Sequence, residues 1–265
     1  MRLHTELVFI VIVLGHILGD FYFQSEKMAN DKKENYLAVF WHSLTYALSI
    51  SVTILLCIPH ESNLMGLILS VSLCHFLIDT IKFFIEKNPK IKPANSQAST
   101  SDQPKSIRSI LYNNLFLVDQ AVHFLSLIFC WYCFGRDIDV RWFLSAEVTH
   151  LPHLPIIMLL GFLFVGKPVG IWIGKSNLRN YLPSGADNTS PTGSGKVIGY
   201  LERMIVLVFL MYGQYGSIAF VLTAKSVARF KEIEANRGLA EYYLIGTLMS
   251  VGSAMLIAML LGLTP

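Results

Sequence analysis

The stretch LMGLILSVSLCHFLIDTIKFFIE (64–86) decides how the chain folds. It is long and apolar enough to cross a bilayer, which takes ~20 mostly apolar residues. Yet His75, Asp79 and Lys82 interrupt it at i, i+4 and i+7, so they share one helix face. Segments of the same kind recur along the chain. Spans are expected at 3–25, 36–58, 64–86, 110–134, 152–174 and 239–263, separated by short polar linkers. The composition agrees. Of 265 residues, 53% are hydrophobic and 15% charged, with mean hydropathy +0.52; a soluble domain carries about 25% charged residues. The expected fold is an all-α polytopic transmembrane bundle of six to seven spans.

The segment 197–231 is long for a single span, and Gly213, Gln214 and Gly216 break it. Two half-helices forming a re-entrant hairpin fit it, since irregular backbone at membrane depth is tolerated where protein buries it. Charge favours this version. With the N-terminus outside and the hairpin returning to its own side, only Arg2, Arg136 and Arg141 fall in outer segments, while Lys82, Lys167 and Arg203 lie within or at the edges of spans. The remaining Lys and Arg are cytoplasmic, as the positive-inside rule requires. A full crossing by 197–222 would spoil the asymmetry. Both termini are then extracytoplasmic in a bacterial inner membrane. The chain reads as a single membrane domain over 1–265, with a four-helix His/Asp core in 1–134 and C-terminal helices with basic cytoplasmic segments in 135–265.

Several readings are set aside. The apolar run Leu7–Leu18 is not followed by a small-x-small cleavage site, so it is not read as a signal peptide. A net charge of +3 gives no reason to expect nucleic acid. P-T-G-S-G-K (191–196) has Ser190 and Val197 where a phosphate loop needs Gly and Ser or Thr. Cys130 and Cys133 in C-W-Y-C read as packed thiols. Segments 93–106 and 183–196 are composed as flexible loops.

Ionisable residues inside the spans point to a site. His16, Asp20 and Gln24 share a face of the first span at i, i+4 and i+8, so H-x-x-x-D occurs on spans one and three. His42 lies early on the second span; Asp119, Gln120 and His123 lie on the fourth. Asp20, His42, Asp79 and Asp119 stand about 5, 6, 7 and 9 residues from the cytoplasmic ends of their helices, within roughly 6 Å of one another along the membrane normal at 1.5 Å per residue. Each such group costs about 2.5–3.5 kcal/mol at the bilayer centre, so they must face inward and find partners. Imidazole with carboxylate suits zinc or another first-row divalent ion. His16, Asp20, His75, Asp79, Asp119 and His123 are therefore the candidate ligands. Lys82 is the candidate stabiliser of developing negative charge. Gln24, His42 and Gln120 are supporting residues. His4, His60, His150 and His153 fall at span ends or in loops and are read as incidental. In the C-terminal third, Glu202 is a candidate general base, and Arg203, Lys225 and Arg229 are candidate substrate-binding groups or lipid-headgroup contacts.

HILGDFYFQS (16–25), HFLIDTIK (75–82), LVDQAVH (117–123) and the later KSVARF and AEYYLIGTLMS resemble a bacterial multi-pass membrane family known only as a domain of unknown function. That resemblance implies the fold and no activity. The H-x-x-x-D pattern is also similar, more distantly, to inner-membrane proteins proposed as metal-dependent hydrolases. The leading expectation is a membrane-embedded, metal-dependent hydrolase acting on a lipid or lipid-linked substrate from the cytoplasmic leaflet. An ion-coupled transporter or channel using the same cluster, and a non-catalytic scaffold or sensor, are the rivals.

Overall fold

The computed structural model describes residues 2–58, 64–88, 115–138, 154–176 and 194–265. The loop expected at 93–106, residues 183–193, and His60, His150 and His153 lie outside the described residues. Every element described is a helix. The chain divides into two compact units, residues 1–152 and 153–265. Among the described residues, five helices are long and apolar enough to cross a membrane: Tyr36–Cys57, Leu64–Lys87, Leu115–Gly135, Leu154–Lys175 and Arg237–Leu260.

In the first unit, α1 (Arg2–Ile17) continues as a π-helical turn, Leu18–Tyr22, followed by the short α2 (Glu26–Asp31). Then come α3 (Tyr36–Cys57), α4 (Leu64–Lys87) and α5 (Leu115–Cys130), the last extended by a second π turn, Trp131–Gly135. Helix α4 shows why this bundle belongs in lipid. Its inward face buries Leu67, Val71, His75, Asp79 and Phe83, whereas Leu69, Leu73, Leu77, Ile81 and Phe84 are exposed. Polar groups inside and leucine outside invert the order of a soluble protein.

Helices α1 and α3 touch along Gly15 and Gly19. A Cβ at Gly15 would meet Ile50 at 3.0 Å, and one at Gly19 would meet the Tyr46 ring at 2.8 Å. This small-xxx-small spacing lets two backbones approach, and Ser49 Oγ donates across the seam to the Gly15 carbonyl at 3.0 Å. Across α4 and α5, Cys74 and Cys130 bring their sulfurs to 3.7 Å, while Cys133 is exposed. Cys130 thus packs with Cys74, and C-W-Y-C is not a closed pair.

The second unit packs α6 (Leu154–Lys175), α7 (Ser194–Met211) and α10 (Arg237–Leu260) around Val165, Val169, Leu207, Leu210, Val251 and Ala254, with α8 (Tyr215–Ala228) and the short α9 (Phe230–Ala235) between α7 and α10. The expected break in 197–231 falls at Tyr212–Gln214. Gly213 has φ +64, its N–H donates to the Leu210 carbonyl and that of Gln214 to Phe209. This is a left-handed helix stop that glycine adopts without strain. The linker expected to reach 196 ends earlier, because α7 begins at Ser194.

Candidate metal centre

Four helices and one loop converge on a buried layer in the first unit. The π turn is where α1 contributes. Phe23 N–H bonds to the Leu18 carbonyl, five residues back, which inserts an extra residue and re-aims Asp20. His16, one α-helical turn earlier, does not follow it: its Nδ1 meets the Tyr46 hydroxyl at 3.1 Å. Tyr46 is fully buried and its ring lies flat on that of His75, centroids 3.5 Å apart and planes within 3°. The Gly15–Gly19 seam thus sets the position of His75 through Tyr46.

The centre of the layer is an imidazole pair. His42 Nε2 and His75 Nε2 face each other at 3.2 Å, with the two side chains 0% and 1% exposed. Two imidazole lone pairs cannot face across that distance without a proton or a cation between them. His42 Nε2 also lies 3.2 Å from Asp20 Oδ1 and 3.5 Å from Asp79 Oδ2, and His75 Nε2 lies 3.6 Å from the same Asp79 oxygen. The other oxygen, Asp79 Oδ1, is 3.9 Å from His123 Nε2. Among the described residues two groups could hold an ion, Asp20–His42–His75 and His75–Asp79–His123, each with its ligand atoms within 4.8 Å.

Around this centre the partners are ordered. Lys32, in the loop after α2, donates to Asp79 Oδ2 at 2.5 Å. Lys82 donates to Asp119 Oδ2 at 2.7 Å. Gln120 Nε2 donates to Asp20 Oδ2 at 3.1 Å and lies 3.4 Å from Asp119 Oδ2. The Gln24 amide, oriented to satisfy both neighbours, donates to the Asp20 carbonyl at 2.8 Å and accepts from Lys32 Nζ at 3.2 Å. His123 Nδ1 meets the Asp119 carbonyl at 2.9 Å. Buried polar atoms are normally paired. Here His42 Nδ1, His75 Nδ1, His123 Nε2 and Asp119 Oδ1 have no hydrogen-bond partner among the described residues.

The structure therefore brings His16, Asp20, Gln24, His42, His75, Asp79, Lys82, Asp119, Gln120 and His123 together. It redistributes their positions. His42, expected only in support, stands at the centre. His16 and Asp119 fall outside both ligand groups, held by Tyr46 and Lys82. Sequence reasoning passed over Lys32 and Tyr46. Tyr46 follows His42 by four residues, a readable spacing. Lys32 is a loop residue 47 positions from Asp79, and no local pattern marks it.

Two of the C-terminal candidates, Glu202 and Lys225, pair with each other in the second unit. Lys225 Nζ donates to Glu202 Oε2 at 2.6 Å and lies 3.4 Å from Thr247 Oγ1. Pro168 inside α6 removes a backbone donor and crowds the preceding turn. Arg203 answers from α7, with Nε 2.7 Å from the Val165 carbonyl and Nη2 3.2 Å from that of Gly166. Arg229 ends α8.

No curated protein and no solved structure matches this chain. A family model does match, over residues 8–151, which takes in all four helices of the buried layer and leaves the motifs at 225–250 outside. The chain belongs to the DUF3307 family, described as proteins of unknown function.

Proposed function

We propose that the first unit holds one divalent cation, with zinc the best fit, and uses it to hydrolyse a lipid or lipid-linked substrate. The spacing of ligand atoms carries this reading. Metal–ligand bonds of about 2.0–2.1 Å in a tetrahedron put ligand atoms about 3.3–3.4 Å apart. His42 Nε2 lies 3.2 Å from His75 Nε2, 3.2 Å from Asp20 Oδ1 and 3.5 Å from Asp79 Oδ2, and His75 Nε2 lies 3.6 Å from Asp79 Oδ2. Charge supports it as well. Lys32 pairs with Asp79 and Lys82 with Asp119, which leaves Asp20, held by Gln120 and His42, as one carboxylate without an ammonium in a low-dielectric layer. A divalent ion with bound water would turn that one negative charge into one positive, which an anionic substrate would offset.

A catalytic zinc keeps three protein ligands and an open position. In this reading His42, His75 and Asp79 are the three, and water takes the fourth. The metal lowers the pKa of that water toward ~7. Asp20 would take the proton of that water as its oxygen bonds to the substrate's phosphorus or carbonyl carbon, the bond from that atom to the leaving alcohol would break, and Asp20 would return the proton to the alcohol oxygen. Lys82, beside Asp119, offsets the negative charge that develops. The Lys32 and Lys82 ammonium groups beside these carboxylates would offset the charge of an anionic transition state. Lys32, Lys82 and Lys87 gather at the same end of the bundle as Asp79, which by the positive-inside rule supports a site toward the cytoplasmic leaflet of the inner membrane.

The test is metal analysis of protein purified in mild detergent. One equivalent of zinc is expected, lost from His75→Ala, Asp79→Asn and equally from His42→Ala, and retained in His16→Ala. Absence of a stoichiometric metal from the wild type, with no uptake on addition, ends the reading. Ion flux into liposomes that depends on Asp79 replaces it with transport.

A further inference from the structure

Asp79 Oδ2 has two claimants. It is the oxygen offered to His42 and His75, and it is also the acceptor for Lys32 Nζ at 2.5 Å. Lys32 arrives by a built path. Ser25 caps α2 by accepting from Met28 N–H at 3.1 Å, and Asn35 caps α3 by accepting from Leu37 N–H at 2.9 Å. Between those caps the Asn35 N–H bonds to the Asp31 carbonyl at 2.8 Å, folding the connection into a compact strap. The strap turns the Lys32 side chain inward until only 13% of it is exposed, and the Gln24 amide steadies the ammonium. Lys33, the next residue, reaches only Asn30 at the surface.

Resting on the metal reading above, we infer that Lys32 competes with the metal ion for Asp79 and, once the ion takes that carboxylate, becomes the anchor for a phosphate group on the substrate. An ammonium and a divalent ion on one carboxylate oxygen repel each other, so metal entry weakens the Lys32–Asp79 contact and frees the ammonium to turn to another anion. The released group stays beside the metal, held by the strap. A phosphate there would meet an ammonium on one side and the metal on the other, the pairing phosphoryl chemistry uses to offset charge. Metal loading and substrate binding are thereby coupled: the ion that activates water also frees the group that grips the anion.

Two measurements test this in the full-length protein, with cobalt(II) as the spectroscopic probe. Chelator competition gives metal affinity; the cobalt visible spectrum reports phosphate binding. Lys32→Met is expected to bind cobalt(II) at least tenfold tighter than wild type, because the competing cation is gone. It is also expected to bind inorganic phosphate at least tenfold more weakly once loaded. Lys32→Gln, which keeps a polar end beside Gln24, should behave alike and guards against a packing artefact. Lys33→Met should match wild type in both assays. Phosphatidate in mixed micelles against inorganic phosphate separates the sources: tighter binding of phosphatidate marks a lipid phosphate, equal binding a free one. Unchanged or weaker cobalt affinity in both Lys32 variants overturns the inference while leaving the metal site standing. Phosphate binding unaffected by Lys32 overturns it too. A wild type that takes up no cobalt, like Asp79→Asn, removes the underlying metal reading instead.

Discussion

Replacing Gly19 by alanine adds one methyl group at the most constrained point of the first unit. The new Cβ would sit 2.8 Å from Tyr46 Cδ2 and 3.3 Å from the Tyr46 Cα. An ordinary carbon–carbon contact is about 3.5–4.0 Å, so the ring must retreat by ~0.8 Å. It has nowhere to go: Tyr46 is fully buried, stacked on His75 at 3.5 Å, with its hydroxyl tied to His16. Either α1 and α3 separate or His75 moves. Overpacking of this kind costs about 1–3 kcal/mol, and a disturbed partner of a metal-ligating imidazole lowers metal affinity by roughly 10–100-fold. Gly66→Ala is the matched control, since its Cβ meets nothing closer than Phe134 at 3.5 Å. Thermal unfolding in detergent and zinc affinity by chelator competition read the two effects. Gly19→Ala should be clearly less stable and bind zinc more weakly, and Gly66→Ala should match wild type in both. A Gly19→Ala protein indistinguishable from the control would refute the claim that the α1–α3 seam positions His75 through Tyr46.

Two further outcomes follow from the polar contacts. Lys82→Met leaves Asp119 without its 2.7 Å partner; with a quarter of the Lys82 side chain exposed, the loss should be about 2–4 kcal/mol, somewhat below the fully buried case. Adding Asp119→Asn should recover most of that stability in the same unfolding assay, and failure to recover it would rule out charge imbalance as the cause. In the second unit, Arg203→Met strips the donors from the Val165 and Gly166 carbonyls beside Pro168, at a cost of roughly 2–4 kcal/mol for hydrogen bonds to a charged group. Proteolysis of that unit should accelerate, and Arg203→Lys, which keeps a charged donor on α7, should retain part of the protection.

Much of this was legible because lipid imposes harsh rules. Helices were readable from hydropathy, since a bilayer leaves a single segment no other way to satisfy its backbone. The break at Gly213 was readable because a left-handed helix stop selects glycine. The inward turn of Asp20, Asp79 and Asp119 was readable because an unpaired carboxylate in hydrocarbon is too costly to persist. The order within the cluster was not. An i, i+4 spacing says that His16 and Asp20 share a helix face only while the helix stays α; the π turn at Leu18–Tyr22 changes the register and sends them to different partners. The Gly15–Gly19 spacing was readable as a face for close helix approach, but which helix fills it, and with it the central place of His42, is set only by the packing.

Sequence alone, then, determined the membrane helices and which side chains had to leave the lipid, because both follow from transfer free energies that each residue carries with it wherever it sits. Tertiary structure decided which nitrogen faces which oxygen: His42 against His75, and Lys32 on Asp79 across 47 residues. Those choices depend on how closely two backbones approach and how one turn is wound, and neither quantity belongs to any single residue.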